Sequence, residues 1–317
     1  MLARHLVIWP NAGVAIMATA MNAPRTPSSL RPRSELAKRV VSGAVMGVVA
    51  LLTTWTGGVI LVVAFSLLGL FVLSEWETLT GARSQRRLIG GMVVVACAGA
   101  IAHWFGPVAA MAVAIGLLFL ALGAALLESP RRWSFTGMAY AAWLVISLVS
   151  LRGHDSVGLS AIFFVFAAVW ATDIAAYFGG RAIGGPKLMP TVSPNKTWSG
   201  ALSGALAAII TCVGYLLIAD AHVAGRGNGV AHGLGALLYV AGIALALSIA
   251  SQAGDLFESG LKRKFGAKDS GTILPGHGGF MDRVDGLVFA SAAAFLIGMS
   301  FKGQGTVAEG LLLWGAG

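Results

Sequence analysis

Residues 108–127, VAAMAVAIGLLFLALGAALL, contain no charged side chain and no side-chain hydrogen-bonding group. As a helix rising about 1.5 Å per residue, the run matches a bilayer hydrocarbon layer about 30 Å thick, so it reads as one membrane crossing. The chain around it is 57% hydrophobic and 11% charged over 317 residues. Its mean hydropathy is +0.81, outside the range of soluble globular domains. The expected fold is therefore all-α: a polytopic integral membrane helical bundle. The same length rule places about nine transmembrane helices near 40–55, 58–74, 88–104, 108–127, 137–151, 157–179, 198–220, 234–253 and 284–301. The first, second and fifth are short for a crossing.

Orientation follows from the positive residues, because cytoplasmic loops retain Lys and Arg. With the N-terminus inside, 19 of the 22 Lys and Arg residues fall on the inner side, and Arg152, Arg226 and Lys302 fall outside. This split predicts a cytoplasmic N-terminus and an external C-terminus; the expected location is a bacterial inner membrane, as a multi-pass protein. It also accounts for the net charge of +9 without nucleic acid, as loop charge beside anionic lipid. Cys97 and Cys212 sit inside apolar runs, with neither disulfide nor zinc spacing, and read as packing residues.

Four regions are expected. Residues 1–33 form a disordered N-terminal extension rich in Pro, Ser and Arg. Its first 20 residues resemble a weak signal peptide spoiled by Pro10 and Asn11, or an extension ahead of a true start at Met21. Residues 34–156 hold the N-terminal helices. Residues 157–302 hold the catalytic region with cytoplasmic loops 180–197 and 254–283, and 303–317 form a short tail.

The charges are unevenly placed. Five of the 13 acidic residues (Asp255, Glu258, Asp269, Asp282 and Asp285) lie between Gly254 and Gly286, with five of the 22 basic ones (Lys262, Arg263, Lys264, Lys268 and Arg283). If the eighth helix continues past the membrane, Asp255, Glu258, Ser259 and Lys262 share one face. The stretch SGTILPGHGG, 270–279, is too rich in Gly and Pro to stay helical. Asp285 either compensates the start of the next helix or belongs to a site. Asp173 lies inside the sixth span, with Tyr177 and Gly180 on its face and Arg181 following. A carboxylate at that depth costs several kcal/mol, so it either bonds a neighbouring helix or faces a cavity. The loop GGPKLMPTVSPNKT brings Ser193, Lys196 and Thr197 to the next helix start, either as an anion cradle or as a helix cap with a surface lysine.

Together these residues suit Mg2+ and phosphate. Carboxylates such as Asp255 and Asp282 are the ligands Mg2+ prefers, cations neutralise phosphates, and glycines allow close backbone approach. That is the chemistry of a nucleoside triphosphate or a phospholipid head group. No Walker A pattern and no Ser/His/Asp arrangement is present, and His277 has no partner that the sequence identifies.

The stretch SGLKRKFGAKDSGTILPGHGGFMDRVDG, 259–286, resembles the signature of the phosphatidate cytidylyltransferase (CDP-diacylglycerol synthase) family: S-x-x-K-R-x4-K-D-x-G-x2-L-P-G-H-G-G-x-x-D-R-x-D. Every fixed position is filled. TDIAAYFGGRAIGGPKLMPTVSPNKTWSG, 172–200, is similar to that family's second block. It departs at Ser199, where an acidic residue is common.

The resemblance implies that phosphatidate and CTP give CDP-diacylglycerol and pyrophosphate, with Mg2+ required and a second metal ion possible. It also implies a homodimer. On this reading Asp255 and Asp282 bind metal. Lys262, Arg263, Lys268 and Arg283 neutralise phosphates, with Asp269 beside them and His277 hydrogen-bonding a phosphate or orienting a ligand. Ser193, Lys196 and Thr197 hold CTP; Asp173, Tyr177, Arg181, Gly278, Gly279 and Asp285 complete the substrate site. A CTP-dependent lipid kinase would use a related site. A transporter for an anionic metabolite would spread its charges near the bilayer midplane instead.

Overall fold

The computed structural model describes residues 33–127, 130–224, 233–271, 273, 278–303 and 305–312, with the side chains of 33–40 and 219–224 excepted. His277 and nearly all of the N-terminal extension lie outside the described residues. The helices are α1 (Arg33–Thr56), α2 (Gly58–Leu79), α3 (Gln85–Trp104), α4 (Gly106–Ala124), α5 (Arg131–Arg152) and α6 (Ser156–Ile183). A hairpin of β1 (Lys187–Met189) and β2 (Ser193–Thr197) follows, then α7 (Trp198–Ala224), α8 (Leu234–Lys264), α9 (Met281–Phe301) and α10 (Val307–Leu312).

Eight of these, α2 to α9, are long and apolar enough to cross a membrane, and the apolar stretch Val41–Thr56 in α1 is shorter. The nine expected spans thus become eight plus that stretch. The fifth is not short: its 22-residue helix takes in the polar residues Arg131, Arg132, Ser134 and Thr136, which end the hydropathy signal without ending the backbone hydrogen bonding. A second difference concerns 187–197, expected as loop, where Lys187 pairs with Thr197 and Met189 with Ser193 in a two-stranded antiparallel sheet. A chain that must reverse direction between two helices satisfies its backbone groups this way.

α5 is the axis of the bundle. Its apolar window is 78% buried, whereas that of α7 is 17% buried and so faces outward. Gly137 of α5 leaves room for the Trp76 indole of α2, whose Nε1 donates to the Trp133 carbonyl at 2.8 Å. Trp76, Tyr140 and Phe257 then stack with centroids 5.1 to 6.2 Å apart, forming an aromatic floor across α2, α5 and α8.

Two close helix crossings shape the region above that floor. Where α6 meets α7, Gly179 and Gly180 face Ser203 and Gly200, and a Cβ on Gly204 would lie 2.8 Å from the Thr172 carbonyl. Small residues let backbones approach in lipid, where dispersion contacts must replace the hydrophobic effect. Where α8 meets α9, Gly254 abuts the Asp285 carbonyl and Gly286 abuts Ser251. At the opposite end, buried Arg152 donates to the carbonyls of Thr54 (2.8 Å) and Asp155 (3.0 Å), fastening α1 to the α5–α6 turn.

Candidate active site

α8 runs 31 residues to Lys264, well past the expected boundary at 253, and carries Asp255, Glu258, Ser259 and Lys262 on one face as the spacing predicts. The two halves of this face serve two adjoining structures.

The first is a cavity of about 650 Å³ between α6, the hairpin, α7 and α8. Asp173, Tyr177, Arg181, Lys187, Lys196, Thr197 and Asp255 line it, with Asn195 and Gln252. Lys196 makes an ion pair with Asp255, and Arg181 donates to the Tyr177 hydroxyl at 3.3 Å. Of the two readings of Asp173, the geometry supports the cavity. Of the two readings of the hairpin the cap is seen directly, Thr197 Oγ1 accepting from the Gly200 amide at 3.1 Å at the start of α7, while Lys196 lines the cavity. Ser199, the departure from the family pattern, donates its hydroxyl to the Gly184 carbonyl and meets Thr197 Oγ1 at 3.0 Å. A carboxylate could not donate this bond, which closes the hairpin onto the end of α6.

The second structure is a clamp where α8 meets α9. Lys262 Nζ lies 2.6 Å from Asp282 Oδ1 and 2.8 Å from Glu258 Oε2. Asp282 Oδ2 accepts from the amides of Ser270 and Gly279, each at 2.9 Å. Gly278 adopts φ +83°, and a Cβ there would lie 2.9 Å from Asp282 Oδ2, so this glycine is required by the carboxylate as well as by the turn. Glu258 is 1% exposed, and its Oε1 has no hydrogen-bond partner among the described residues. Asp285 stands between the two structures, within electrostatic range of Asp173, Asp255 and Lys196 on one side and Glu258 on the other. It lies beyond the first turn of α9, whose acidic residue is Asp282, so helix-end compensation falls to its neighbour.

The remaining expected residues are dispersed. Arg263 Nε donates to the Val192 carbonyl at 3.4 Å, holding the hairpin turn to the end of α8. Lys268, Asp269 and Arg283 are exposed around the loop. Ser193 lies in β2, outside the cavity lining.

One residue at this end was not singled out from the sequence. Glu75 of α2 is buried and accepts from the amides of Phe280 (2.9 Å) and Met281 (2.8 Å) and from the Ser270 hydroxyl (3.1 Å). A carboxylate inside an apolar span is a costly feature. The expected second span stops at 74, one residue short of Glu75; the helix runs on to Leu79 and brings it under the rule that draws attention to Asp173.

Residues 37–301 match the model of the cytidylyltransferase family, and the chain belongs to that family. It is 44% identical over 282 residues to a phosphatidate cytidylyltransferase of Brucella suis biovar 1 (strain 1330), covering 84% of this chain and 95% of the relative. It is 33% identical over 241 residues to a phosphatidate cytidylyltransferase of Staphylococcus aureus (strain COL), covering 74% and 87%. The chain is thus a nucleotidyltransferase carried on a membrane-spanning helical bundle.

Proposed function

We infer that this chain is a phosphatidate cytidylyltransferase that joins CTP and phosphatidate into CDP-diacylglycerol and pyrophosphate. The observation that carries the reading is a cavity lined by both cations and carboxylates beside a glycine-loop clamp, at the end of a membrane bundle. A phosphate oxygen of phosphatidate attacks the α-phosphorus of CTP, a new P–O bond forms, and the α–β phosphoanhydride bond breaks to release pyrophosphate. The nucleophile is already anionic, so the residues have little proton abstraction to perform. Their work is to align two polyanions and offset their repulsion. In this reading Lys196, Lys187 and Arg181 attract the triphosphate, and phosphate entry draws Lys196 away from Asp255.

Among the described residues no three Asp, Glu, His or Cys side chains group to hold a metal ion by themselves. Mg2+ needs no such cage, being commonly held by one or two carboxylates together with phosphate oxygens and water. Asp255 on the cavity wall fits that role, while Asp282 would fill it by exchanging Lys262 on Oδ1 for the ion. Mg2+ there supplies charge neutralisation at the phosphates.

The placement of the site on the cytoplasmic side rests on the distribution of Lys and Arg in the sequence, and the inner-membrane reading is supported by the bacterial origin of the relatives. Pairing of two copies belongs to the same proposal and is checked by cross-linking in native membranes. Purified protein with phosphatidate, Mg2+ and α-labelled CTP should place label in the lipid and release pyrophosphate. Label entering lipid from γ-labelled CTP would overturn the reading in favour of a kinase.

A further inference from the structure

We propose that Glu75 is a positioning residue for this reaction, holding from α2 the residues before α9 whose amides bind Asp282; the proposal rests on the transferase reading above. The residue is 3% exposed, and among the described residues its carboxylate accepts from Ser270, Phe280 and Met281. Two glycines lie against it: a Cβ on Gly271 would lie 2.7 Å from Glu75 Oε1, and one on Gly279 would run into Ser270 Oγ and Glu75 Oε2. Asp282 grips the same two places. Ser270 gives its hydroxyl to Glu75 and its amide to Asp282, while the amides of Phe280 and Met281 go to Glu75 and that of Gly279 to Asp282.

The two carboxylates therefore close the loop as a pair. A residue 195 or more positions away in the chain sets the geometry that Lys262 and Glu258 complete. Glu75 is absent from the cavity lining, so its loss should act on the chemical step and leave nucleotide capture alone.

The test is Glu75→Gln in the full-length protein. The variant keeps the side chain's size but turns an amide NH2 toward a backbone N–H donor. We expect kcat to fall roughly 10- to 100-fold, as small misplacements of reacting groups do, with KM for CTP changed by less than about twofold. Hydrogen exchange of the Ser270, Phe280 and Met281 amides should rise while that of α5 does not. Unchanged kcat overturns the proposal, and so does a lower kcat with exchange raised uniformly across the bundle, which would mark a purely structural residue. If that variant fails to insert, Ser270→Ala removes one bond of the three and should give a smaller loss of kcat with raised loop exchange. Wild-type behaviour in both would overturn the proposal. Exchange is measured without substrate, so an error in the substrate assignment would appear as an inactive wild type and leave the exchange result standing.

Discussion

Asp282 makes three contacts with two oxygens: an ammonium on one and two backbone amides on the other. In Asp282→Asn one of these donors must face an amide NH2, and a donor left unpaired in a buried site costs about 1 to 3 kcal/mol. The expected result is folded, inserted protein with turnover lowered by about 100-fold or more, measured as lipid product at saturating CTP while Mg2+ is titrated. Near-normal activity at saturating Mg2+ would remove Asp282 from the site. Lys196 belongs to the other half. Lys196→Ala leaves Asp255 without its cation and should raise the KM for CTP roughly 10- to 100-fold, in keeping with about 1.5 to 3 kcal/mol for a charge-assisted hydrogen bond. Unchanged CTP kinetics would assign that lysine to the resting structure alone.

Among the helices, the crossing of α8 and α9 decides whether the clamp can form. A Cβ at position 254 would run into the Asp285 carbonyl, a backbone atom that cannot rotate aside, whereas one at position 116 meets nothing within 4 Å. Gly254→Ala should therefore cost about 1 to 3 kcal/mol and lower both the thermal midpoint in detergent and the activity. Gly116→Ala should change neither, and equal behaviour of the two variants would show that the crossing is not tight. The loop 270–279 extends the same lesson. Its glycines read in the sequence as freedom for backbone to approach a ligand, yet Gly271 and Gly279 are occupied by Glu75 and Gly278 by Asp282. Composition marks a place where a Cβ is not tolerated; it does not say which atom excludes it.

For the whole molecule, the charge split predicts that the cavity and clamp face the cytoplasm. Lys264 is exposed at the end of α8, so Lys264→Cys, in a background with Cys97→Ser and Cys212→Ala, should react with an impermeant maleimide in inside-out vesicles and stay unlabelled in intact spheroplasts. The reverse pattern would invert the topology. The sequence by itself determined the membrane bundle, because runs such as 108–127 have no stable place in water. It also determined the family, because a long pattern of fixed charges and glycines has few alternative uses. Tertiary structure alone decided which carboxylates work together. Asp173 and Asp255 line one cavity beside the glycine-lined crossing of α6 and α7, and Glu75 reaches Met281 over 206 positions. Helical periodicity reports neighbours three or four residues away. Contacts between helices depend on crossing geometry, which only the packed bundle fixes.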